Sequence, residues 1–171
     1  IYLKQLARRN RMNKLLLVID VQKDFINENT KPVLSKIEEL VNNGNFKNVV
    51  FTRFINDVNS IWYKDLNYRG CLTEEEQQIA IDTKNYKVFD KRIYSSLNDE
   101  LKKYLLENNI DEIYLCGFDT DACVSKTALD LFENNYNVYV LKDYCMSSKS
   151  IELHNVYINN LARLIGKNKI I

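Results

Sequence analysis

Proline appears once in this 171-residue chain and glycine four times, which argues against long disordered linkers. Histidine is nearly missing: His154 stands alone, and the cysteine spacings fit no zinc pattern, so a structural zinc site is not expected. No stretch approaches the roughly 20 apolar residues needed to span a bilayer. An excess of one charge is also lacking. Twenty-four Lys and Arg balance 23 Asp and Glu, a formal net charge of +1, and nothing in the global electrostatics calls for nucleic acid or an anionic membrane as partner.

What is present suits one soluble globular domain with room for a core, expected over residues 12–171: 46% of residues are hydrophobic and 27% charged. Residues 1–11 are basic and lack the apolar region of a signal peptide; they read as an upstream extension or a cloning remnant ahead of Met12. Without a secretory signal, Cys71, Cys116, Cys123 and Cys145 are expected to be reduced thiols in a cytoplasmic protein.

Short apolar runs alternate with amphipathic stretches, the pattern of βαβ units around a buried parallel sheet. Strands are predicted at Lys14–Asp20, Asn48–Thr52, Tyr86–Phe89, Glu112–Cys116 and Asn137–Leu141, with a short last strand at Lys169–Ile171. Helices are predicted at Pro32–Asn42, Thr73–Ile81 (opened by a Thr73-x-x-Glu76 capping box), Leu97–Glu107, Cys123–Asn134 and Ser150–Leu164. Residues 53–72 show no clear period and hold Trp62, Tyr63 and Tyr68; so long a loop in a compact domain is often functional. Six strands alternating with helices imply a three-layer α/β/α domain. Its ligands would bind beyond the carboxyl ends of the strands, where strand order reverses.

Three polar residues fall at such ends: Asp20, Lys91 and Cys123. Singly, each has an ordinary explanation: a turn aspartate, a solvated lysine, a small buried hydrophobe. Their joint placement points to chemistry. Cys123 follows the polar turn Gly117-Phe-Asp-Thr-Asp-Ala, which places its thiol near a helix N-terminus. There the dipole and free N–H groups would favour a thiolate and could hold an oxyanion. His154 sits mid-helix and reads as a packing or capping residue, so Asp20 is the candidate base. An ammonium such as Lys91 would lower the thiol pKa.

The segments Leu17-Val-Ile-Asp20-Val-Gln22-Lys-Asp24-Phe25, Lys91-Arg-Ile-Tyr94-Ser95 and Gly117-Phe-Asp-Thr120-Asp-Ala-Cys123-Val124, with Thr127-Ala128, resemble the three signatures of the isochorismatase-like cysteine hydrolases. That superfamily includes nicotinamidases and N-carbamoylsarcosine amidases. The resemblance spans about residues 13–165 and implies a six-stranded parallel sheet of order 3-2-1-4-5-6. It implies Asp20 as general base, Cys123 as nucleophile and Lys91 as electrostatic partner. It also implies a non-proline cis peptide between Phe118 and Asp119, which aims the Asp119 and Cys123 N–H groups into an oxyanion hole. Phe25 matches a pocket-wall aromatic, and Trp62 and Tyr94 are expected with it at the substrate, a small molecule. A homo-oligomer, dimer or tetramer, is expected, with no cofactor.

The chain departs from the family in places. Metal-binding nicotinamidases carry an Asp-x-His and a further His after the second strand, whereas Thr52-Arg-Phe-Ile-Asn-Asp57 has no histidine, so no metal is expected. Asp119 stands where many members carry a small apolar residue. Isochorismatases of siderophore pathways generally lack the cysteine, so keeping Cys123 favours cleavage of an amide or carbamoyl C–N bond through a thioester. Vinyl ether hydrolysis, a non-catalytic binding or regulatory module of the same fold, and phosphoryl transfer on Asp20 remain alternatives. Gln22 stands where a haloacid-dehalogenase-like enzyme needs its second aspartate.

Overall fold

The computed structural model describes residues 12–171; the expected extension at 1–11 lies outside the described residues. Five parallel strands form the sheet: β1 (Lys14–Ile19), β2 (Asn48–Phe54), β3 (Lys87–Lys91), β4 (Glu112–Phe118) and β5 (Val138–Met146). Their spatial order is β3-β2-β1-β4-β5. β1 lies at the centre because Leu15 to Ile19 are apolar on both pleat faces and none is exposed.

Alternation along β1 divides the core in two. Leu15, Leu17 and Ile19 pack with Leu101, Leu105, Ala128, Leu131, Ile158 and Leu161. These come from α4 (Asp99–Glu107), α5 (Ser125–Glu133) and α6 (Ile151–Ile165). Leu16 and Val18 face the other way, with Val33, Ile37 and Val41 of α1 (Lys31–Asn43). Two short helices, α2 (Ile61–Lys64) and α3 (Glu74–Gln77), lie between β2 and β3. The three-layer α/β/α reading therefore stands.

Several local expectations need correction. The sheet has five strands, not six. Gly166 turns the chain at φ 106°, Lys167–Lys169 wind into a 3₁₀ turn, and the tail meets the sheet through one bridge, Ile170 to Val140, with Ile171 N–H donating to Val140 O and Ile171 O accepting from Lys142 N–H. The capping box at Thr73 forms as expected, with Glu76 N–H donating to Thr73 Oγ1 (3.2 Å) and Thr73 N–H to the Glu76 carboxylate (2.9 Å). The helix it opens nonetheless stops at Gln77, because Gln78 turns extended and Ile79 bridges to Gln22. Lys23 N–H and Ala80 N–H complete that junction on Gln78 O and Val21 O, a tertiary demand that overrides helix propensity. β5 runs five residues past Leu141, and its pairing with β4 is irregular between Leu115 and Gly117.

Candidate active site

Strand order reverses between β1 and β4, and all three candidate residues meet at the carboxyl edge beside that point. Asp20 follows β1 at φ 49°, a left-handed conformation that swings its side chain out of the pleat alternation. Lys91 is the last residue of β3. Cys123 lies in a π-helical turn, Thr120–Val124, between β4 and α5. Gly117 permits this close approach: at φ 122°, a Cβ there would lie 2.1 Å from Ile19 O on β1. The peptide between Phe118 and Asp119 is cis.

Asp20, Lys91 and Cys123 are 0%, 4% and 6% exposed. Lys91 Nζ stands 2.6 Å from Asp20 Oδ2 and donates to Cys123 Sγ at 3.4 Å. It also donates to Ile93 O at 2.9 Å and Tyr94 O at 3.0 Å, so the buried ammonium is fully engaged. Thr52 Oγ1 donates to Asp20 Oδ1 at 2.8 Å. Oδ2, although ion-paired, accepts no aligned hydrogen bond. Lys91 Nζ thus bridges the Asp20 carboxylate and the Cys123 sulfur.

Burial opposes the thiolate that a helix terminus and Lys91 are expected to favour. Burial pushes the Cys123 thiol well above its usual range, the Asp20 carboxylate pushes it further, and Lys91 only partly opposes them. Burial also works against the Lys91 ammonium, but Asp20 and Cys123 outweigh it and its pKa moves up. The thiol thus rests against the Asp20–Lys91 ion pair, with burial favouring its protonated form.

The thiol faces an open cleft of about 670 Å³. Phe25, Phe54, Trp62 and Tyr94 line it, with Trp62 edge-on to Phe54 (5.5 Å) and to Tyr94 (5.3 Å). The expected pocket aromatics therefore stand around one cavity, and Tyr68 joins them; Tyr63 and His154 do not line it. The Asp119 side chain also reaches the cleft, its carboxylate accepting from Ser148 N–H and Ser148 Oγ, both at 2.7 Å. Burial raises its pKa to about 6 against those two hydrogen bonds, and Asp121 adds to the rise. Among the described residues, three buried side-chain polar atoms lack a hydrogen-bond partner: Asp20 Oδ2, Trp62 Nε1 and Asp121 Oδ1. All three belong to residues of this site, where unsatisfied groups are expected to gather.

The segment after β2 offers no metal ligand set. Asn56 Nδ2 donates to Tyr68 O and Gly70 O, Asn56 Oδ1 accepts from Ser60 Oγ and Asp57 N–H, and Asp57 pairs with Arg92. Among the described residues, no group of three His, Cys, Asp or Glu is placed to hold a metal ion.

Sequence reasoning missed Thr52, Gln22, Asn56 and Ser148. Thr52 could have been suspected as a polar residue ending an apolar strand. Gln22 is fully buried, donating to Phe54 O (2.9 Å) and accepting from Phe54 N–H (2.7 Å). Nothing local marks Ser148, which meets Asp119 across 29 residues.

Residues 14–167 match the isochorismatase domain. A curated relative, isochorismatase family protein 2A of Dictyostelium discoideum, is 29% identical over 165 residues, which cover 88% of this chain and 79% of that protein. An isochorismatase-like hydrolase from Alkaliphilus metalliredigens superposes with a TM-score of 0.79 at 24% identity, covering 92% of this chain and 93% of that one. Yeast nicotinamidase bound to the inhibitor nicotinaldehyde superposes with a TM-score of 0.80 at 21% identity, covering 92% and 99%. At these identities the solved structures speak for the fold, and the domain match speaks for kinship: the chain belongs to the isochorismatase family.

Proposed function

We propose that the protein is a cysteine hydrolase that cleaves the C–N bond of a small amide or carbamoyl compound through a thioester on Cys123. The observation that carries this reading is a buried thiol at the cleft, 3.4 Å from the Lys91 ammonium, which stands 2.6 Å from an Asp20 carboxylate oxygen that has no aligned hydrogen bond. A neutral thiol needs a base at the moment of attack, and Asp20, joined to the sulfur through Lys91, is the candidate.

In this mechanism, Asp20 takes the Cys123 proton as Sγ bonds to the substrate carbonyl carbon. The carbonyl oxygen becomes an oxyanion, held by the N–H groups of Asp119 and Cys123. Among the described residues the Asp119 N–H has no partner of its own, which supports this assignment. Asp20 then passes the proton to the leaving nitrogen as the C–N bond breaks. Water, deprotonated by Asp20, adds to the thioester, and the acid leaves as Cys123 regains its proton. Lys91 keeps a negative charge tolerable on carboxylate or sulfur in turn. Phe25, Trp62 and Tyr94 give the substrate a flat, apolar seat, and Asp119 sets a polar boundary beside the oxyanion hole. A reducing, cytoplasmic setting goes with this reading and is supported by four free thiols.

An ammonia-release screen over amides, carbamoyl amino acids and ureides, with Cys123→Ala as blank, tests the proposal. Ammonia produced equally by wild type and blank, across the whole panel, defeats it.

A further inference from the structure

We propose that His154, the one histidine in the chain, is a positioning residue for the nucleophile: through Thr120 it holds the turn that carries Cys123. This rests on the reading of Cys123 as nucleophile, and the test separates the two.

The turn is intrinsically weak. Thr120–Val124 is a π-helical turn, a geometry that rarely persists without outside support. Within it, Ala122 N–H and Val124 N–H both reach the same acceptor, Asp119 O, at 3.1 Å each. Its support comes from side chains. Thr120 is fully buried, its hydroxyl lies 2.8 Å from His154 Nδ1, and its carbonyl accepts from Ser125 Oγ. One residue earlier, the Asp119 carboxylate is bound by Ser148. Both outside ties therefore land on one short stretch, Ser148 to His154, that enters α6.

The imidazole is placed for this work and for no other in the site. His154 is 6% exposed, sits in the first turn of α6 and does not line the cleft. Burial lowers its pKa against the pull of Asp143 and Asp121, so a neutral ring meets a neutral hydroxyl, and one of the two donates to the other. An apolar residue would fill the space between α6 and the turn, but it would give the Thr120 hydroxyl no partner. Thr120 would then be free to rotate, and the sulfur three residues on would move with it.

The test compares His154→Leu, His154→Asn, Thr120→Val, Thr120→Ser and the His154→Leu/Thr120→Val double variant. The readouts are iodoacetamide alkylation of Cys123, which needs no substrate, and kcat and KM in the ammonia-release assay. His154→Leu and Thr120→Val are each expected to lose about tenfold in kcat with KM nearly unchanged, because a small displacement of a reacting atom costs rate before binding. Both should change the Cys123 alkylation rate in the same direction. The double variant should be no worse than either single, since one link is broken in all three. Asn at 154, which keeps a polar atom near the Nδ1 position, and Ser at 120 should recover most of the loss. The Thr120 pair carries the test alone if His154→Leu does not fold. Wild-type kcat in His154→Leu or Thr120→Val, losses that multiply in the double variant, or no recovery in Asn and Ser would each overturn the inference while leaving the proposed function intact. A wild-type Cys123 inert to alkylation in a protein that releases no ammonia defeats both.

Discussion

The two walls of the cleft are built differently. On one side, Cys123 lines the cleft from the turn after β4, backed by Asp20 just after β1 and Lys91 at the end of β3, and none of the three exceeds 6% exposure. On the other, Trp62 sits on a segment whose Val58, Ile61 and Leu66 are 56%, 61% and 62% exposed. Strand register places the first group: β1 pairs Ile19 with Thr52 and Gly117, and β2 pairs Phe54 with Lys91. The second wall depends on the Asn56 amide, a one-turn helix capped by Ser60, and edge-on aromatic contacts. The candidate reacting groups thus stand at the edge of the sheet, and Trp62 of the aromatic seat stands on the loop.

If that division holds, changes to the first wall strike the rate and changes to the second strike binding. The largest effect is expected at Cys123. Cys123→Ala should lower turnover by on the order of 10⁴-fold or more, and mass mapping after iodoacetamide should find Cys123 modified before Cys71, Cys116 and Cys145. Burial raises all four thiols, so access decides the order, and among them only Cys123 lines the cleft. First labelling at Cys71 would mean that the second wall opens more readily than the cleft admits reagent.

Lys91→Met should cost roughly 10²–10³-fold in turnover and raise the Cys123 pKa further, followed as thiolate absorbance against pH. It also strands a buried carboxylate, so thermal stability should fall by about 3–5 kcal/mol. Asp20→Asn/Lys91→Met, which removes both charges, should regain stability but not activity. A stable, active Lys91→Met would remove Lys91 from the reacting group and leave it only a buried partner of Asp20. Across the cleft, Trp62→Ala should raise KM about tenfold and leave kcat within a few-fold, because it removes ring contact and no reacting group. A kcat collapse there would erase the distinction between the walls.

Asp119 lies between the two and should appear in stability. Its folded pKa of about 6 is raised, so protonation favours the folded state. Stability from this group is fully present below the ordinary carboxyl range and is lost as pH rises through about 6. Asp119→Asn should therefore stabilise the protein at pH 7 by about 1–3 kcal/mol, with the gain vanishing near pH 4 in denaturant titrations. The smallest effect expected is none: a chelator should leave turnover unchanged, and metal analysis should find no stoichiometric ion. Activity lost to chelator and restored by one ion would show that the loop wall does more than shape the cleft.

Much of the fold was readable because it is governed by local periodicity. A run such as Leu15 to Ile19 has one economical placement, at the centre of a parallel sheet, and the capping box at Thr73 formed as its spacing required. What misled was competition from distant partners. The helix after Thr73 stops where Gln78 and Ile79 are drawn to Lys23 and Gln22. The last strand shrinks to one bridge because Lys167–Lys169 coil first. At the site, the three residues were legible from their motifs, whereas Thr52, Ser148 and the Thr120–His154 contact join parts of the chain far apart in sequence.

The amino-acid sequence by itself determined which residues are candidates for the chemistry and that they fall at or just after strand ends, because apolar runs and motif spacing are properties of the chain. Only the tertiary structure decided their electrostatic state. Cys123 sits where a helix N-terminus and a lysine would favour a thiolate, yet burial and the Asp20 carboxylate push its pKa up. The cost of burying charge depends on how fully the fold excludes water, and that emerges only when β1, β3, β4 and α5 close around the sulfur.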